Sequence, residues 1–227
     1  MSHPLDRPVW SALTSHWAPL AEGDARAWRL GRDYGMFGAV ADDSAKSLGA
    51  LADLVPEKGG LLLIERTAPQ LPPHTRLAQA PEAVVQMVCE RLEPSALVDD
   101  WAELTEDDAS ATFDLAELTK PGPYMRHTHR LGRFIGIKRD GVLVAMAGER
   151  MRMPGLAEVS GVCTHPDHRG QGLAAMLIRA VAGRMLATGE TPFLHALAAN
   201  RGAISLYEHL GFRHRLDLMA SVLTRDI

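Results

Sequence analysis

"HPDHRGQGLAAMLIRAV", residues 165–181, follows the apolar run "LAEVSGVCT" (156–164) and opens an apolar run of helical spacing. An arginine and two glycines therefore fall where a strand gives way to a helix. Backbone N–H groups at a helix start have no intrahelical partner and suit an anion. Glycines at that point leave no side chain between those groups and a ligand. A glycine-rich loop can also do no more than turn the chain, so the surrounding pattern has to decide between the two.

Downstream, "TPFLHALA" (191–198) reads as a strand, "NRGAISLYEHLG" (200–211) as a helix closed by a glycine, and "FRHRLDLMASVL" (212–223) as a further strand. Upstream, residues 133–138, 142–152 and 156–164 read as three strands, with Asp140-Gly141 and Pro154-Gly155 as the turns between them. Residues 96–104 read as a strand, and 105–119 as a helix whose start carries Thr105 with Asp108 three positions on, a capping pair. The Pro-Gly-Pro at 121–123 stops that helix. Strand, helix, three strands, helix, strand, helix and strand define an α/β order on a mixed sheet.

The first 95 residues hold helical spacing over 9–20 and over 44–55, where Ser44 is placed as an N-cap. They also hold short apolar strands over 57–65 and 83–90, and a proline-rich loop over 68–76. They carry no motif with chemistry. Residues 1–95 are expected to form a smaller α/β region and residues 96–227 a second domain.

Bulk composition narrows the classes. A formal net charge of −4 over 227 residues, with charged residues at 23%, points to no nucleic-acid partner. No stretch approaches the ~18 apolar residues of a membrane span, so no membrane partner is expected. Cys89 and Cys163 lie too far apart in the chain to suggest a disulfide framework or a metal motif, and a cytoplasmic location is expected. A monomer or homodimer is expected.

Two nucleotide readings of the glycine stretch fail. "GQGLAA" (170–175) satisfies a dinucleotide fingerprint, but "HPDHR" separates it from its strand. The acidic residue due about 20 positions on is also misplaced, since Glu190 precedes the next strand. A P-loop fails because no Gly-Lys-Ser/Thr follows.

The spacing Arg169-x-x-Gly172-x-Ala174 after a strand and "HPDH" resembles the pyrophosphate loop of the GNAT superfamily of acyl-CoA-dependent N-acetyltransferases. "N…AISLYEHLGF" (200–212) is similar to that family's second signature, in the right order and about 30 residues on. The resemblance covers roughly residues 97–227. It implies the GNAT fold, α/β (α+β) with a mixed, mostly antiparallel central sheet, and acetyl-CoA as cosubstrate with no metal. A looser likeness, carried by "ELTEDD…LTKPGPY…LGRFIGI…AMAGERM", is to a subfamily in which a degenerate N-terminal half precedes the catalytic one, including the glycine N-acyltransferase-like proteins.

The resemblance also implies roles. Arg169, Gly170, Gln171, Gly172, Leu173 and Ala174 would wrap the coenzyme A pyrophosphate, and Val162, Cys163 and Thr164 would hold the pantetheine arm where the central strand splays from its neighbour. Asn200 would bind pantetheine or cap its helix. Tyr207, two turns further on, would protonate the departing thiolate, or serve as a core aromatic. Glu158, eleven residues before Arg169, is the base candidate, with a pKa expected to rise on desolvation. The competing reading pairs it with Arg150 or Arg152, and Glu149 is the substitute base. His127 and His129 are candidates for the acceptor site. Acyl transfer through Cys163 is disfavoured. The expected activity is transfer of an acetyl group to a primary amine of a small or amino-acid-like acceptor by direct attack. A non-catalytic acyl-CoA sensor is the alternative.

Overall fold

The computed structural model describes residues 3–93 and 100–226. In chain order the elements are α1 (Pro8–Leu13), β1 (Ala21–Asp24), β2 (Ala27–Leu30), β3 (Gly38–Val40), α2 (Ala45–Leu54), β4 (Leu61–Glu65), β5 (Thr75–Leu77) and β6 (Glu82–Val88). They continue with β7 (Ala102–Glu103), α3 (Ala109–Thr119), β8 (Phe134–Arg139), β9 (Val142–Met153) and β10 (Leu156–Thr164). The chain ends with α4 (Leu173–Ala187), β11 (Thr191–Leu197), α5 (Arg201–Leu210) and β12 (Arg213–Arg225).

Nine strands form one sheet in the order β4-β12-β6-β11-β10-β9-β8-β7, with β5 against the far end of β12. Every pairing in it is antiparallel except that of β10 with β11. The sheet is therefore mixed and mostly antiparallel, with α3 and α1 on one face and α4 on the other.

Local chemistry accounts for the regular parts. Asp140 and Gly141, both at positive φ, make the tight turn that joins β8 to β9. Thr105 and Asp108 form the reciprocal capping pair expected of them, around a single turn of 3-10 helix that leads into α3. Ser44 accepts from the Ser47 N–H and starts α2. On α4, Leu173, Leu177, Ile178, Val181, Ala182 and Met185 recur at helical spacing and lie buried on Ile135, Ala147 and Val159 of the sheet. Each of the larger of these side chains contributes roughly 1.5–3 kcal/mol on burial.

The opposite face is covered from the N-terminal side. Leu5, Val9, Leu13, Trp17 and Phe37 pack on Met151, Met153, Leu156 and Phe193. Trp17 also donates its Nε1–H to the Arg150 carbonyl, 3.2 Å away. The N-terminal portion thus completes the core.

Four features differ from the sequence reading. The helix expected over 9–20 ends at Leu13, followed by turns and a single 3-10 turn at Ala18–Leu20. The short antiparallel sheet β1-β2-β3 had no local signature. The strand expected over 96–104 reduces to Ala102–Glu103 among the described residues, and residues 96–99 lie outside them. Most importantly, β6 does not stay in a separate region: it lies between β11 and β12, paired along both edges. The expected boundary at residue 95 separates two stretches of chain that share one sheet.

Candidate active site

β10 and β11 pair only over Leu156–Glu158 and Thr191–Phe193. Both strands run on, to Thr164 and Leu197, without further pairing. A parallel pair that opens in this way leaves a cleft with an unpaired strand edge on its wall. The His165 N–H donates to Val144 O on β9 at 2.7 Å. Backbone groups alternate sides along a strand, so Cys163 also faces β9, while Val162 and Thr164 turn theirs to the open edge. A bulge at Gly161 (φ +63°) lies just before this stretch.

At the end of that edge the chain makes one 3-10 turn, Pro166–His168, and enters the glycine loop. Gly170 and Gly172 adopt φ of +76° and +77°, a region that costs any other L-residue roughly 1–2 kcal/mol. An added Cβ on either would meet no atom within 4 Å, so the glycines are required by backbone conformation and leave the loop uncovered. Gly172 is the N-cap of α4, whose first internal bond is Met176 N–H to Gly172 O. Among the described residues, the N–H groups from Gly170 to Ala175 have no protein acceptor. Donors in a row at the positive end of a 15-residue helix form an anion cradle.

Arg169 is exposed beside it, its Nε–H reaching the Thr164 carbonyl at 3.5 Å. Asn200 caps α5, its Oδ1 accepting from the Ala203 N–H at 3.2 Å. Tyr207 lines the same cleft with Val162, Cys163 and Leu206, and its ring meets Phe212 edge-on at 6.1 Å. Burial pushes its phenol pKa up. The Cys163 thiol is pushed up to about 11 by burial, which disfavours a thiolate nucleophile. The structure thus brings Val162, Cys163, Thr164, Arg169, Gly170, Gly172 to Ala175, Asn200 and Tyr207 around one cavity of about 800 Å³, whereas Gln171 is not among the residues that line it.

The two base candidates fare differently. Glu158 has no solvent exposure. Arg150 donates from Nε to its Oε2 at 2.8 Å and from Nη2 to its Oε1 at 2.9 Å. His195 Nδ1 lies 2.8 Å from the same Oε1. Desolvation would raise this carboxyl, but the Arg150 cation and the His195 contact outweigh it and hold the pKa down at about 2. That corrects the raised pKa expected from sequence: the strand's apolar neighbours were visible, whereas its cationic partner was only one of two readings. A carboxylate so held has its lone pairs committed and is a poor proton acceptor. Glu149 is 3% exposed and bonds Arg184 at 3.0 Å and Arg152 at 3.4 Å on the α4 side, so the substitute base is also committed.

His195 is the residue that sequence reading missed. Gln86 donates its amide N–H groups to Leu5 O at 2.9 Å and toward His195 Nε2 at 3.1 Å, while its Oε1 accepts from Arg215 at 2.8 Å. That arrangement makes Nε2 the acceptor and Nδ1–H the donor to Glu158. The only available signal was strand alternation, which places His195 on the face of Phe193. His127 and His129 lie elsewhere: His129 pairs with Glu106 at 3.1 Å, and His127 stacks edge-on with Tyr34. It is instead Lys120 to Pro123, just before them, that line the cleft. Among the described residues no cluster of three or more His, Cys, Asp or Glu side chains could hold a metal, and no helix is long and apolar enough to cross a membrane.

A nine-stranded mixed sheet with a splayed parallel pair and an anion cradle at its mouth is the architecture of an acyl-CoA-binding fold. Comparisons with known proteins agree. The FR47-like protein family matches residues 134–220. A candidate acetyltransferase of the GNAT family from Novosphingobium aromaticivorans DSM 12444 is 42% identical, with 100% of each chain covered and a TM-score of 0.93. A GCN5-related N-acetyltransferase from Kribbella flavida is similar in fold at 18% identity, with 96% of this chain and 93% of that chain covered and a TM-score of 0.67. A GCN5-related N-acetyltransferase-like protein from Streptococcus suis 89/1591 is similar at 16% identity, with 95% and 92% covered and a TM-score of 0.59. No curated protein matches significantly. The chain belongs to the GNAT family of acyl-CoA-dependent acetyltransferases.

Proposed function

We propose that the protein transfers an acetyl group from acetyl-CoA to a primary amine by direct attack in a ternary complex. One observation supports this reading above the others: the cradle donors, the open edge of β10 and the Tyr207 phenol converge on a single cleft.

In this reading the N–H groups of Gly170 to Ala175 bind the diphosphate, with Arg169 adding charge from the side. Val162 and Thr164 hold the pantetheine arm as an added strand, and the Asn200 amide N–H, free of its capping duty, reaches the same arm. An open-edge N–H polarises the thioester carbonyl. The neutral amine attacks that carbon, a C–N bond forms and the C–S bond breaks. The thiolate, made more basic by the same burial that raises the Tyr207 phenol, takes the phenol proton, and the phenol regains one from solvent. The amine proton leaves to solvent through the cleft mouth. Glu158 acts at a distance, fixing Arg150 and His195 in the wall. The N-terminal portion, which lacks any Arg-x-x-Gly-x-Gly/Ala, fits a worn second lobe of the kind the glycine N-acyltransferase-like proteins carry.

The test begins with melting temperature. Acetyl-CoA or coenzyme A at about 100 times its dissociation constant should stabilise the fold by roughly 2.7 kcal/mol, or about 5–10 °C, and NAD or ATP should not. Gly172→Val forces a β-branched residue to positive φ and distorts the cradle, so its shift with coenzyme A should vanish. Tyr207→Phe should keep the shift and lose about a hundredfold in kcat. Turnover by Tyr207→Phe at the parent rate removes the acid assignment. A shift without turnover on any amine points instead to an acyl-CoA sensor, and no shift with coenzyme A removes the cradle assignment.

A further inference from the structure

The acyl-transfer reading uses one half of the cleft. Beyond the open edge of β10 the cavity continues onto the face opposite α4, where Met36, Phe37, Leu62, Ile64, Val84 and Val222 line it. Five of these come from the first 93 residues, and Val222 lies on β12, where that strand pairs with β4. The wall is fixed in place: Phe37 bridges to Leu62, and the Arg150 guanidinium sits 4.8 Å from the Phe37 ring centroid.

The charges on this cleft are as informative as its apolar surface. Among the described residues one carboxylate lines it, the exposed Glu82. Glu158 behind the wall is saturated by Arg150 and His195. The cations on the cleft are Arg150, paired with Glu158, and Lys120, paired with Glu117 at 2.8 Å, with Arg169 beside the cradle. A polycationic acceptor such as a polyamine or a lysine-rich peptide would bring its second ammonium against mostly apolar atoms, with Glu82 the one carboxylate among the described lining residues. An ammonium taken out of water without a counter-ion is strongly disfavoured. An apolar body has no such cost, and each methylene that it buries strengthens binding about three- to fourfold.

The same surface bears on the nucleophile. The attacking nitrogen must be neutral, and both carboxylates considered as its base are held in ion pairs. Apolar surroundings disfavour an ammonium, so they favour the neutral amine without calling on Glu158 or Glu149.

We infer that the half of the cleft built by Met36, Phe37, Leu62, Ile64, Val84 and Val222 is the acceptor site, and that it selects a monoamine with an apolar alkyl or arylalkyl body. This inference rests on the acetyl-transfer reading above.

The experiment is an acetylation panel with the full chain and acetyl-CoA, following coenzyme A release. The panel holds butylamine, hexylamine, phenethylamine, 1,6-diaminohexane, spermidine and a lysine-rich peptide. From butylamine to hexylamine kcat/KM should rise about tenfold, and spermidine should fall at least a hundredfold below hexylamine. Met36 is only half-buried, so Met36→Glu should fold, lower kcat/KM for hexylamine and raise it for 1,6-diaminohexane. Preference for spermidine or the peptide, or no dependence on chain length, overturns the inference and leaves acyl transfer standing. A rate that instead follows the acyl length of the thioester at fixed amine makes the groove an acyl channel and also overturns it. If acetyl-CoA binds and no amine is acetylated, the acetyl-transfer reading fails and the inference with it.

Discussion

Glu158→Gln should destabilise the protein by about 3–5 kcal/mol, because it leaves the Arg150 guanidinium in a nearly water-free wall without its counter-charge. Arg150 is 8% exposed, so relaxation toward solvent recovers little. Chemical denaturation of the parent and variant at neutral pH measures the difference directly. The same pair sets an acid limit. The folded pKa of Glu158 lies below its ordinary value of 4.5, at about 2. Its contribution is therefore complete above pH 4.5 and is lost as pH falls from there toward 2. The variant's stability should lack that part of the acid slope. A loss below about 1 kcal/mol would mean that the ion pair is not what holds this wall together.

Residues 100–227 expressed alone should fail to fold. Removing the first part of the chain takes out β6, which pairs with β11 from Phe193 to Leu197 and with β12 from Arg213 to Ala220. Two central strands would then face each other across a missing one, and Met151, Met153, Leu156 and Phe193 would lose the cover of α1 and its neighbours. The expected product aggregates or shows no cooperative unfolding transition. Adding residues 1–93 as a separate chain should restore soluble protein, since the two parts meet through a complete core and ladder. A soluble, cooperatively folding 100–227 fragment would overturn this account.

Local pattern carried most of the second half of the chain. The strands β8, β9 and β10 stood out because Asp140-Gly141 and Pro154-Gly155 are turn chemistry between apolar runs, and β10 matched its expected span, 156–164. The glycine loop stood out between a strand and a helix, but its residues alone left a turn and a cradle open, and the resemblance to a family chose between them; the positive φ of Gly170 and Gly172 came only with the structure. What escaped was whatever depends on a distant partner. The short, apolar, β-branched run "AVVQMVCE" identifies a strand but not that β12 will pair with it more than 120 residues on. "AEGD" and "GAV" in β1 and β3 are too short to carry a period, and they exist as strands because β2 lies between them. Glu158 had two readings from sequence, since periodicity assigns a face and not a partner. His195 became visible only once Gln86, Glu158 and Arg150 stood around it.

The interleaved order of the sheet also bears on how the protein is made. β4 and β6 emerge from the ribosome well before their shared partner β12, which begins at Arg213, more than 120 residues beyond β6. At ordinary elongation rates those apolar strands wait roughly 10 s with open edges. Nascent β6 therefore waits for β11 and then for β12 before both its edges are paired, and during that interval chaperone binding would guard against misassembly. Mutations that slow the last step, the arrival of β12, should lower cellular yield without altering the finished enzyme's melting temperature.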